Sequence, residues 1–267
     1  MFNMKICHFL IVVFTLACAM PALSQKRSAE AQRKAPSANQ NRLEHRLKVY
    51  ASDMKKLTKQ LKPGDLRTQR RNPKRIARQV ERLETSLKKD LLRFMSRKEF
   101  EQFAPHLFGN EPPPPDEPVP DSPSWPGEWK FICDLAAVQI STAQNLLHVA
   151  AMQVTAAACP PESPVPCAGC DEWSGAAYKW GSEKTYQAFD WIGKAAASID
   201  NAMPFLAAIY CDIAASQAAL GGWYLLLYYI GDPTPCNYVK TAAATLLTAS
   251  QVAELAHDKC LECATQT

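Results

Sequence analysis

Eight of the ten cysteines fall after residue 132: Cys133, Cys159, Cys167, Cys170, Cys211, Cys236, Cys260 and Cys263. Between Cys18 and Cys133 there is none. An even set of cysteines behind an export signal reads as a disulfide framework formed in an oxidising compartment. The C-terminal half is therefore expected to fold around covalent staples. The stretch before it must find another way to hold together.

The export signal is legible at the N-terminus. Lys5 precedes an apolar run from Ile6 to Met20, and Ala22-Leu23-Ser24 stands ahead of Gln25. That order is a secretory signal peptide, here residues 1–24, with Ala17-Cys18-Ala19 as an alternative cleavage site. The run is too short to anchor the chain, since about 20 apolar residues are needed to span a bilayer. Thr15-Leu16-Ala17-Cys18 is a poor lipidation site, and no N-x-S/T sequon is present. The expected location is secreted or periplasmic.

Charge divides the rest of the chain. Residues 25–110 carry 23 Lys and Arg against 9 Asp and Glu, a net of +14, whereas residues 111–267 carry 6 against 17, a net of −11. All six Trp and seven of eight Tyr follow residue 124. The acidic half has the material for a core and the basic half has little of it.

Within the basic half, residues 25–41 show no apolar pattern and read as a disordered leader. From 42 to 108 the pattern becomes helical. Leu43, Leu47, Tyr50, Met54, Leu57 and Leu61 alternate by four and three, a coiled-coil seam that Pro63-Gly64 ends. A second seam runs Ile76, Val80, Leu83, Leu87, Leu91, Phe94, opened by Asn72-Pro73. Each is too short to stand alone in water, so the two are expected to pack antiparallel or to dock on a partner. Ser96-Arg97-Lys98-Glu99 fits a capping box for a short third helix presenting Phe100 and Phe103.

Residues 109–126 hold eight prolines between Glu111 and Pro126, a polyproline spacer. Beyond it, 127–267 reads as four helices: about 127–158, 171–201, 205–230, and a last one capped by Thr234-Pro235. No run alternates as a strand does. The expected fold is all-α, a disulfide-stabilised up-down helical bundle preceded by a basic helical hairpin. The third bundle helix is long enough to span a membrane, but Asp212, Ser216 and Gln217 argue for a buried central helix, with Asp212 facing solvent or met by a hydroxyl.

Up-down topology sorts the cysteines by end. Cys133, Cys211, Cys260 and Cys263 share one end, and Cys159, Cys167, Cys170 and Cys236 the other. No bridge should cross between the groups, because bonded cysteines need Cα atoms within about 7 Å. The preferred pairs at the first end are Cys133–Cys263 and Cys211–Cys260; the other end leaves its pairing open. The same separation argues against a zinc site shared by CAGC and CLEC.

No catalytic signature is present: no G-x-S-x-G, H-E-x-x-H, phosphate loop or calcium loop. No cofactor is implied. The expected function is non-enzymatic binding or structural support, with an enzyme built on the bundle, or a membrane-active protein using residues 204–230, as alternatives. The candidate polyanion-binding residues are Lys55, Lys56, Lys59, Arg67, Arg70, Arg71, Lys74, Arg75 and Arg78. They would meet an anionic polymer, an anionic membrane surface or an acidic protein. Nucleic acid fits poorly, because no stacking aromatics interleave with these cations.

Overall fold

The computed structural model describes residues 38–61, 73–96, 98, 100, 103, 130–157, 172–231 and 237–266. The expected signal peptide, the proline-rich stretch and Cys159, Cys167, Cys170 and Cys236 lie outside them. The described residues contain six long helices and no strand: α1 Ala38–Thr58, α2 Pro73–Phe94, α3 Lys130–Ala157, α4 Glu172–Asp200, α5 Pro204–Gly231 and α6 Asn237–Gln266. The fold is all-α, as the periodicity requires. Helix α1 begins inside the expected disordered leader, because Ala38–Asn41 contains no residue that breaks a helix.

Helices α3 to α6 form an antiparallel four-helix bundle. On α3 the buried residues Cys133, Ala136, Ile140, Ala143, Leu147, Ala150, Val154 and Ala157 recur by three and four, one stripe facing inward. The matching stripe of α6 includes Val239, Ala243, Leu246, Ala253 and Cys260. Contacts between neighbours fix the alternating directions. Thr155 meets Tyr186 across α3 and α4 at 3.0 Å, and Trp191 packs on Tyr210 across α4 and α5. The Ser250 hydroxyl donates to the Ala215 carbonyl across α5 and α6 at 2.8 Å.

The reversal between α4 and α5 is built from three residues. Met203 N–H reaches back to the Ser198 carbonyl and Ala202 N–H to the Ile199 carbonyl, with Ala202 at φ 56°. This is a Schellman ending with alanine in the left-handed position. Pro204 then opens α5 as its first residue, where its missing N–H costs nothing.

Helix α5 is the centre of the molecule. It is flanked by α4 and α6 and covered by α1. Its 27 residues from Pro204 to Ile230 could cross a membrane by length and composition, yet 83% of the most apolar window is buried inside the protein. The buried central helix expected from the sequence is what forms. Asp212 departs from expectation: neither solvent nor a hydroxyl satisfies it, but the ammonium of Lys55, 2.8 Å away on α1.

One end of the bundle carries the first cysteine group. Cys133 and Cys263 are bonded, with Cα atoms 5.1 Å apart, joining the start of α3 to the end of α6. Cys211 and Cys260 also meet, hydrogen-bonded and fully buried, but as thiols rather than as the expected second bond. Burial raises the Cys211 thiol well above its usual range, with Cys260 adding to the effect. The thiolate needed for exchange is thereby suppressed.

Candidate functional site: a docked hairpin with two charged faces

Helices α1 and α2 pack antiparallel, as Arg46 reaching Asp90 at 3.5 Å shows, and the pair lies on the bundle rather than apart from it. Leu47, Tyr50, Met54 and Leu57 from α1, and Val80, Leu87 and Leu91 from α2, are all buried. Of the two alternatives read from the seams, antiparallel pairing is the one that forms, and the pair is covered by the chain's own bundle. Phe100 and Phe103 follow the same route. Phe103 sits 6.4 Å from the Trp191 ring and 6.5 Å from Tyr210, with the Lys194 ammonium 5.3 Å above it.

The inner face of the hairpin is polar where it crosses α4 and α5. Glu84 of α2 pairs with Lys184 of α4, whose ammonium also donates to Gln187 at 2.8 Å. Gln217 of α5 donates to the Tyr50 hydroxyl at 2.9 Å and lies 3.5 Å from Glu84. With Lys55–Asp212, two ion pairs tie the hairpin to the bundle. Burial pushes the Tyr50 phenol well above its usual range and the Glu84 charge adds to this, while the Gln217 bond partly offsets it. Glu183 is also raised, chiefly by burial.

Beside these contacts a groove of about 670 Å³ opens between α2 and the bundle, lined by Lys74, Arg78, Glu81, Glu84, Trp180, Glu183, Lys184 and Tyr224 among others. The Tyr224 hydroxyl is buried there without a partner among the described residues. Cations and acids balance in the lining, and no nucleophile stands beside a base. Among the described residues no histidine lines it: His45 is exposed on α1, His148 packs on Phe189, and His257 bonds the Ala208 carbonyl at 2.8 Å. The inner face is thus a latch. A buried pair of this kind fixes register, because removing either partner strands a charge.

The outer face is different. On α2, Lys74, Arg75, Arg78, Arg82, Lys88, Lys89 and Arg93 are exposed, and Glu81 is the one exposed acid of that helix among the described residues. Arg93 pairs with Asp90 at 3.2 Å, whereas Arg75, Arg78, Arg82 and Lys89 form no ion pair among the described residues.

The candidate polyanion residues thus separate. Lys55 is used internally by Asp212, so it is not a surface cation, and Lys56 pairs with Asp53 at 3.0 Å. Lys59, Lys74, Arg75 and Arg78 are exposed. Arg67, Arg70 and Arg71 lie outside the described residues. Arg82 and Lys89 were missed from sequence because they lie beyond the two dense basic clusters, Arg82 alone between Glu81 and Leu83 and Lys89 in a Lys-Lys pair followed by Asp90. Comparison with protein-family models, curated proteins and solved structures finds no match to this chain.

Proposed function

We propose that this is a secreted or periplasmic, non-enzymatic binding protein that meets an anionic surface or partner through the outer face of its basic hairpin. The disulfide-bonded bundle is the support that holds the hairpin. The observation that carries the reading is the exposed cationic surface of α2, with seven cations to one acid. A solvated helix exterior ordinarily mixes both signs at i,i+4, where opposite charges stabilise and like charges repel. Here Lys74–Arg78, Arg78–Arg82 and Lys89–Arg93 are like-charge neighbours at that spacing. Lys74 and Arg75 also occupy the first turn, at the positive end of the helix dipole, where no acid is present. Both features act against helix stability, and an external anion would relieve both.

The latch supports the same reading. Inner acids are engaged by inner cations, so the outward charge is not neutralised by the bundle's own carboxylates. The test is binding of the whole exported chain to dextran sulfate, to anionic phospholipid vesicles and to an acidic protein, over a range of salt. The reading expects affinity for at least one, with log K falling linearly against log salt. Binding to none of them at low salt would end it.

A further inference from the structure

The outer cations of α2 are ordered. At about 100° per residue, Arg75, Arg78, Arg82, Lys89 and Arg93 fall within an arc of about 60°. With a rise of about 1.5 Å per residue, the row they form is about 27 Å long. Two acids border the row. Glu81 lines the groove, as Arg78 also does, and Asp90 meets Arg46 of α1 at 3.5 Å and Arg93 of the row at 3.2 Å. Arg75, Arg78, Arg82 and Lys89 are thus the row's cations without an ion pair among the described residues.

We infer that this row is a binding site for a linear polyanion without bases, a sulfated or phosphorylated polymer lying along α2. The inference rests on the anion-binding reading above and specifies its ligand. Three features select a linear polymer. A narrow straight row matches charges repeated along a chain, and a scattered patch would not. Nothing aromatic lies in the row, so stacked bases have no platform. A membrane-bound amphipathic helix needs its apolar face for the lipid. On α2 that face, with Val80, Leu87 and Leu91, is buried in the protein. Charge complementarity is what the surface offers, and a polymer can use all of it.

Binding at such a row is driven by release of the polymer's counterions, so the salt slope reports how many cations take part. For five contacts on a single chain the slope is about −3.5. Length matters too. Affinity for sulfated oligosaccharides should climb with chain length until the fragment covers about 27 Å, then level off.

The test compares three whole proteins against such a length series, with anionic vesicles and single-stranded DNA as further probes. One is the natural chain. The second carries Arg75→Gln, Arg82→Gln and Lys89→Gln. The third carries Lys130→Gln, Lys179→Gln and Lys240→Gln, an equal charge change at exposed sites on the bundle. The row variant should lose about tenfold or more at low salt and flatten the slope by about 2, while the bundle variant keeps both near the natural values. The row variant should also unfold at a slightly higher temperature, since it loses internal repulsion; this shows that weakened binding does not come from misfolding.

Equal losses in both variants would assign binding to net charge and overturn the row, leaving the anion-binding reading standing. Preference for vesicles over polymers, or for DNA over sulfated chains of equal length, would also overturn it. If the natural chain binds no probe, the underlying reading fails together with the row.

Discussion

Ala202 holds a left-handed backbone, φ 56°, at the turn between α4 and α5. An alanine there suffers a clash that glycine avoids, a cost of about 1–2 kcal/mol. Part of the gain from glycine is returned through the looser unfolded chain. Ala202→Gly should therefore stabilise the protein by about 0.5–1 kcal/mol, measured by denaturant unfolding. Lys184 argues in the opposite direction. Its ammonium is almost wholly enclosed, with 6% of the side chain exposed, and it faces Glu84 at 15%. Lys184→Met alone should cost about 3–5 kcal/mol, because Glu84 keeps a buried charge without its cation. Adding Glu84→Leu should recover most of that loss. Neither residue stood out in the sequence. Glu84 sits between seam leucines as any exposed heptad position would, and only the crossing of α2 over α4 encloses it.

At the level of helices, the close approaches are set by small residues. A Cβ built on Gly181 would stand 2.6 Å from a methyl of Leu225, whereas one on Gly193 would meet nothing within 4 Å. Gly181→Ala should destabilise, because Leu225 is buried and has little room to move, by about 1–3 kcal/mol before the gain in helix propensity. Gly193→Ala should stabilise by up to about 1 kcal/mol. Thermal unfolding of the two variants side by side checks both signs. Both belong to the three interior glycines of α4, residues that lower the intrinsic helix propensity of its sequence. Gly181 lies where α4 meets α5, and there tertiary packing outweighs its low propensity. The central positions of the seams were legible, with Leu43, Leu61, Ile76 and Leu83 partly buried against the core. Leu47, Met54, Val80, Leu87, Ile140 and Leu246 all face inward as their spacing requires. What the seams do not encode is which surface they cover, since an apolar stripe reports that it needs burial and not against what.

Taken whole, the molecule has its most apolar helix enclosed by α4, α6 and α1, and its buried phenols report on that enclosure. Tyr50, Tyr210 and Tyr224 are all raised above the usual phenol range, in each case chiefly by burial. Lys55 is raised as well: burial acts to lower it, and the hydrogen bond and charge of Asp212 outweigh that. A group raised in the folded state contributes stability that is complete below its unfolded value. For these groups that value is near 10, and the contribution is lost as pH climbs through the higher folded value. Stability should fall above about pH 10. The share of the ionised-tyrosine absorbance that belongs to these three rings should rise together with the loss of helix rather than ahead of it. An early, reversible rise accounting for all three would show that these rings are accessible. The first cysteine group was legible from topology alone: Cys211 lies beside Cys260, and Cys133–Cys263 forms where it was expected. The docking of the hairpin was not, because charge segregation across a proline spacer suggests two separate bodies. The opposite is found in the ion pairs Lys55–Asp212 and Glu84–Lys184.

That docking is what leaves the outer cations exposed in a fixed row, and hydrogen–deuterium exchange on the intact chain tests it most directly. Amides of residues 43–57 and 76–91 should be protected and should open together with those of α5, as one cooperative unit. Complete exchange of both hairpin helices while α5 remains protected would contradict the account, because the hairpin would then be a separate arm with no fixed outer face.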